Sequence, residues 1–205
     1  MSTDLASVRL QATSLGDLLL IAADQRPDHP AVILPDQRRS YAEIRDAAID
    51  KALSLQALGV GAGDHVGLLL PTGMDFIETL FATALLGAVA VPVNARYMPP
   101  ELAYVVENAD LKVLLTTDKI AEAVNFVERL HLAFPQLAEA DAGQLQLEDA
   151  PRLRNVVLYG SSSAAGMLTE QEFDDRSSQG DLERLHLNRL QVRLGSTALI
   201  LYTSG

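Results

Sequence analysis

Residues 40–70 read SYAEIRDAAIDKALSLQALGVGAGDHVGLLL, and their succession of cap, helix, glycine turn and apolar run decides the fold. Ser40 with Glu43 three residues later predicts a helix start, because the hydroxyl and the carboxylate can each satisfy a free N–H of the first turn. Behind it Ile44, Ala47, Ala48, Ala52, Leu55 and Leu58 recur every three or four residues, the buried stripe of one helix. Gly59 ends the helix, with Val60 as the expected apolar contact across its C-cap. Residues 66–70 are strand-sized and continuously apolar rather than alternating. Strands covered by helices on both faces read that way.

Working outward, the same signals repeat. Ser14 with Asp17, Thr72 with Asp75 and Thr169 with Glu172 predict further helix starts. Residues 31–34, 89–93, 113–116, 156–159 and 198–202 are further strand-sized apolar runs. Pro99 and Pro100 ahead of Glu101 suit a helix start running to 108, and residues 126–134 complete another helix. Residues 36–39 read as a tight turn, either between two short strands or into the helix that follows. Alternating strands and helices imply an α/β fold, a layered αβα arrangement with a largely parallel sheet. Residues 137–154 are polar and irregular, and 161–196 read as a polar connection whose elements are poorly defined.

The bulk numbers agree with one large domain. A chain of 205 residues can bury roughly 70% of its unfolded surface. Its 48% hydrophobic and 21% charged content is globular rather than disordered. Sixteen Lys and Arg against 27 Asp and Glu give a net charge of −11, which repels phosphate backbones and argues against a nucleic-acid partner. A nucleotide held locally by amide groups stays compatible with that charge. The absence of Cys fits a reducing compartment. The opening MSTDLASVRL lacks the basic and apolar regions of a signal peptide. The apolar stretch at 80–93 falls short of the about 20 residues that a membrane span needs. The expected location is the cytoplasm, with no transmembrane segment.

Several short motifs invite chemistry. Gly59, Gly61 and Gly63 form a G-x-G-x-G run, but it leaves a helix and enters a strand, the reverse of a dinucleotide fingerprint. A helix-to-strand turn is expected there. Gly160-Ser161-Ser162-Ser163-Ala164 loosely resembles a nucleophile elbow, without the second glycine or a partner base. His29, His65, His131 and His186 have spacings that match no metal motif, and no metal ligand or catalytic residue is assigned. Leu199-Ile200-Leu201-Tyr202-Thr203-Ser204-Gly205 is different: an apolar run enters a hydroxyl-hydroxyl-glycine turn. Such a turn can aim amide N–H groups and two hydroxyls at phosphate oxygens.

That last stretch resembles the opening of the phosphate loop of adenylate-forming (AMP-binding) enzymes. Ser40-Tyr41-Ala42-Glu43 is similar to the family's motif at its first long helix, and residues 58–66 to its L-G-V-x-x-G-D-x-V turn. Leu69-Leu70-Pro71, leading to Phe76, is similar to its L-P-N-x-x-x-F segment, and residues 87–94 to its G-A-V-x-x-P-x-N. Pro100-Glu101-Leu102 opens its next helix. The continuation through Ala95-Arg96-Tyr97 and residues 101–105 looks most like the acyl-CoA synthetase, or fatty-acid–CoA ligase, branch.

The resemblance implies a two-step ligase. A carboxylate attacks the α-phosphate of ATP to give acyl-adenylate and pyrophosphate, and the thiol of CoA then forms the thioester. It implies ATP and Mg2+ as cofactors, CoA as co-substrate and a small carboxylic acid as partner. Carried over, only Thr203, Ser204 and Gly205 belong to the phosphate loop, with Tyr202 on the supporting strand. The loop lysine, the adenine and ribose motifs, the hinge and the small carboxy-terminal domain would all follow Gly205. The chain therefore reads as the incomplete amino-terminal part, residues 1–205, of the large domain. It is expected to be inactive alone, to bind no cofactor productively, and to be prone to self-association through an unfinished sheet edge. The alternative is a non-catalytic interaction module that keeps the same fold. A hydrolase acting at Ser162 or Ser204 is a third reading.

Overall fold

The computed structural model describes residues 14–119 and 124–203. Ser14 caps helix α1 (Leu15–Gln25) by accepting the Asp17 N–H at 3.1 Å. Strands β1 (Pro30–Ile33) and β2 (Arg38–Ser40) form an antiparallel pair, joined through the turn where the Leu34 N–H meets the Gln37 carbonyl. The turn at 36–39 thus joins two strands. The run at 31–34 lies in this half-exposed hairpin and not in the parallel sheet, since β1 offers only four residues and pairs with its sequence neighbour.

Helix α2 (Tyr41–Ala57) starts at a complete capping box: Glu43 N–H donates to Ser40 Oγ and Ser40 N–H donates to Glu43 Oε2. It ends as its glycine demands. The Gly59 N–H reaches the Gln56 carbonyl and the Val60 N–H reaches the Leu55 carbonyl, with Gly59 at φ +84°. These paired bonds need a left-handed residue at Gly59, and Val60 and Leu55 bury together beneath them.

Strand β3 (His65–Leu68) follows, then α3 (Met74–Leu85), β4 (Val89–Pro92), α4 (Pro99–Asn108), β5 (Leu111–Thr117) and α5 (Phe126–Ala133). Helix α3 departs from expectation at its start. Gly73, not Thr72, is the N-cap residue, and no side chain caps it. The extended backbone at Gly73 lets the helix begin one residue later, leaving Asp75 in the first turn. A short 3-10 turn (Pro135–Glu139) leads on to β6 (Asn155–Tyr159). Residues 161–196 hold β7 (Leu168–Thr169), α6 (Glu170–Asp174, with a second capping box on Thr169), a 3-10 turn (Asp175–Gln179) and α7 (Leu182–Gln191).

The sheet runs in the order β4-β3-β5-β6-β7 with every pair parallel. Two apolar layers cover it. Val66, Leu68, Leu70, Ala90, Val113, Leu115, Val157 and Tyr159 pack with α1, α2 and α3 on one face. Leu69, Val91, Val93, Leu114, Val156 and Leu158 pack with α4 and α5 on the other. Neighbouring residues thus point to opposite cores, which is why these strands read as unbroken apolar runs. Among the described residues, no helix is long and apolar enough to cross a membrane.

The run at 198–202 is the main departure. It makes one parallel bridge, Leu199 to Ala90, through the bonds Ala90 N–H to Ala198 O and Ile200 N–H to Ala90 O. It lies on the outer edge of β4 with Ala198, Leu199 and Leu201 exposed, where a buried strand was expected. Paired on one side and with Leu199 and Leu201 facing outward, it gains too little to extend into a regular strand.

Candidate functional site

The chain leaves β3 toward β4 and leaves β5 toward β6, in opposite directions across the sheet. Open α/β sheets bind ligands at such a reversal, at the carboxyl ends of the strands. A file of charges spans this crevice. Lys119 Nζ lies 3.7 Å from Asp75 Oδ2, and Asp75 Oδ1 lies 3.8 Å from Lys51 Nζ. Lys51 Nζ is 3.5 Å from Glu78 Oε2 and 4.4 Å from the Tyr159 ring centroid. Asp75 and Glu78 share one face of α3 by their three-residue spacing. Lys51 lies on the buried stripe of α2, beside Ala48, Ala52 and Leu55. Side-chain exposure falls from 65% at Lys119 to 11% at Lys51 and Glu78.

Burial by itself would push the Lys51 ammonium toward neutrality, but Tyr159, Glu78 and Asp75 hold it well above its ordinary value. At Glu78 the balance goes the other way: burial raises its carboxyl despite Lys51, and Asp75 adds repulsion. The two ends differ because Lys51 faces Glu78, Asp75, Asp174 and a ring, whereas burial at Glu78 outweighs Lys51 and the weaker pull of Arg39. Burial pushes the Tyr159 phenol up to about 12, so it is neutral at physiological pH and offers Lys51 its ring face. Lys51 is therefore a fixed cation that ties α2 to α3, not a base or nucleophile. No periodicity signalled it, because a lysine on an apolar stripe gives no local sign of its partners.

Next to this file, the Asp118 carboxylate closes the ends of β5 and β6. Asp118 Oδ2 accepts from the Ser161 N–H at 2.9 Å, the Ser162 N–H at 2.8 Å and the Ser162 hydroxyl at 2.5 Å. The hydroxyl and amide donors hold its carboxyl below the usual range. Gly160, at φ +124°, is required here, since a Cβ would overlap the Asp118 carboxylate. The elbow-like stretch is thus a clasp. Among the described non-glycine residues only Asp110 has positive φ, so Ser161 and Ser162 lack the strain of a nucleophile elbow.

The other candidates resolve as structural. Gly59, Gly61 and Gly63 form the helix-to-strand turn, held from β5 by Lys112 Nζ on the Gly59 carbonyl and on Asp64. Each histidine ring has a local partner: His29 the Pro30 carbonyl, His65 that of Ala109, His131 that of Ala165, and His186 the Arg189 guanidinium. Among the described residues, no group of three His, Asp or Glu is arranged to hold a metal ion. At the chain's end the Tyr202 hydroxyl donates to Asn108 Oδ1 at 2.7 Å, and Thr203 is exposed just beyond it. Thr203 can offer a phosphate one hydroxyl. Ser204 and Gly205 lie outside the described residues.

The family model described as AMP-binding enzyme matches residues 20–205, nearly the whole chain. The chain belongs to the AMP-binding enzyme family. YngI of Bacillus subtilis, provisionally named an acyl-CoA synthetase, is 30% identical over 90% of this chain and 36% of its own length. A Mycobacterium tuberculosis ligase named for medium- and long-chain fatty acids and 3-oxocholest-4-en-26-oate is 32% identical over 82% of this chain and 30% of its own. Among solved structures, the anthranilate CoA ligase AuaEII in complex with anthranoyl-AMP superimposes with a TM-score of 0.74 over 95% of this chain and 33% of that one, at 22% identity. The N-terminal domain of FACL13 from M. tuberculosis gives 0.67 over 94% of this chain and 42% of its own, at 23% identity. The chain thus has the αβα architecture of the amino-terminal region of AMP-binding enzymes, within the acyl-CoA synthetase superfamily. It spans about a third of the length of the curated relatives it matches.

Proposed function

We propose that this chain is the amino-terminal part of an ATP-dependent acyl-CoA synthetase, and that alone it forms no acyl-adenylate. The observation that carries this reading is the family match running through residue 205 together with the chain's one-third share of its relatives. Thr203, Ser204 and Gly205 open the phosphate loop. Amides and hydroxyls of these residue types would hold the polyphosphate of ATP, where Mg2+ would supply charge neutralisation. A small carboxylic acid and CoA are the co-substrates, and the rest of the site comes from sequence equivalent to the remaining two thirds of a relative. The charge file at Lys51 and the Asp118 clasp contribute by fixing the rim against which that remainder packs.

The outer edge of 198–200 and the exposed Leu194 and Leu201 support a second element, self-association of this chain through that edge. Joining residues 1–205 to the remaining two thirds of YngI tests the main reading. Acid-dependent adenylate formation by the chimera, lost again in T203A/S204A, is expected. A folded chimera that turns over equally well with both hydroxyls removed would overturn the phosphate-loop assignment.

A further inference from the structure

The amino ends of the strands form the opposite rim of the sheet, and helix C-termini gather there with their carbonyl dipoles. Two side chains answer them: Lys112 Nζ bonds the Gly59 carbonyl after α2, and His65 Nδ1 meets the Ala109 carbonyl after α4 at 2.6 Å. Arg152 and Arg154 stand on the same rim with no such duty. They lie two apart where a turn, closed by the Leu153 N–H on the Ala150 carbonyl, leads into β6; both are exposed, while Leu153 and Asn155 between and after them are buried. With Leu153 and Asn155 turned inward, both arginine side chains are left toward solvent. The Arg154 backbone is fixed at both ends, its N–H on the Lys112 carbonyl at 2.8 Å and its carbonyl on the Leu145 N–H at 3.0 Å. One Arg154 N–H reaches the Leu145 carbonyl at 3.5 Å, and among the described residues no hydrogen bond or ion pair engages the Arg152 guanidinium.

These two arginines line a pocket of about 220 Å³ with Lys112 and Asp64. Asp64 pairs with Lys112 at 2.8 Å and also accepts the Gly61 N–H. Three cations against one carboxylate make this pocket positive on a chain whose net charge is −11. We propose that it is an anion site for a single phosphoryl group, distinct from the candidate phosphate loop at Thr203. Two forked guanidinium groups on a fixed backbone match phosphate oxygens, which a scattered surface charge does not. The volume lies below the roughly 300–1,000 Å³ of pockets that enclose drug-sized ligands, so the pocket takes the phosphoryl group and not a whole nucleotide. An adjoining groove of about 500 Å³ shares Arg152 and leads past Tyr104, Asn108 and Pro151, with Glu107 and Asp110 on its acidic side. A neutral body attached to the phosphate would lie there; a second anionic group would be repelled.

Calorimetric titration of the 205-residue chain with inorganic phosphate, at constant ionic strength and with chloride as control, tests the site. Saturable 1:1 binding is expected, weakened at least about tenfold in R152A and in R154A, because each loses charge-assisted bonds to the anion. D64N, which frees Lys112 for the ligand, should bind more tightly than the parent. Phosphate monoesters with small neutral bodies should match or exceed inorganic phosphate, whereas pyrophosphate should gain nothing from its second group. Both arginines are exposed, so circular dichroism should show folded variants. Phosphate binding that persists unchanged in the folded double variant R152A/R154A, or binding of poly-glutamate but not of phosphate, would overturn the proposal. So would a heat signal no different from that of chloride.

Discussion

Replacing Lys51 by methionine asks how much of the large core rests on one buried cation. At 3.5 Å and an effective dielectric of about 20, the Lys51–Glu78 attraction is roughly 5 kcal/mol before the cost of burying both groups. Breaking such a pair from one side leaves the other charge stranded, which costs about 3–5 kcal/mol. Asp75 keeps Lys119 at 3.7 Å and is one-third exposed, so the lower end of that range applies. We expect K51M to lose about 3 kcal/mol in urea unfolding. E78Q should lose less than about 1 kcal/mol, because Glu78 is already disfavoured by burial and Lys51 retains Asp75 and the Tyr159 ring. The double variant K51M/E78L should recover most of the K51M loss, since an apolar pair of similar volume does without the desolvation cost. Equal losses in K51M and E78Q, or additive losses in the double variant, would refute this view of the cluster.

Other outcomes follow from single contacts. S40A should cost about 1 kcal/mol, or roughly 2–4 °C in Tm, by opening the capping box of α2. Asp118 has a lowered folded pKa, so its contribution is full above the ordinary 3.8 and disappears as pH falls through the folded value. D118N should therefore flatten the dependence of stability on pH below the ordinary carboxylate value, measured by urea midpoints. L194D/L201D should shift the chain toward monomer in sedimentation without lowering Tm, since these side chains are 88% and 64% exposed.

Much of this fold is legible in the sequence because its signals are local. The Ser40 box, the Gly59 turn and the Pro99–Pro100 start each follow from a few adjacent residues, and doubly covered strands reveal themselves as unbroken apolar runs. What stays hidden depends on partners far along the chain. The run at 31–34 looks like its neighbours but pairs locally with β2, because the turn at 36–37 brings that partner first. The run at 198–202 has strand composition, yet only Ala90 meets it on one edge. The Thr169–Glu172 box marks the start of α6, but α7 lies in polar sequence whose charged residues mask its anchor, Leu185. At the rim, Asp118 and Ser162 are 44 residues apart and Lys51 and Tyr159 further still, so no motif could join them. The assignment of Thr203 to a phosphate loop rests on its likeness to a family.

The most direct measurement is exchange of labelled pyrophosphate into ATP by residues 1–205 alone, with Mg2+ and a panel of fatty, aromatic and sterol-derived acids. An incomplete nucleotide cradle gives acid-dependent exchange no higher than the blank without protein. Exchange that rises with protein concentration and requires the acid would mean that these residues already hold every group adenylation needs.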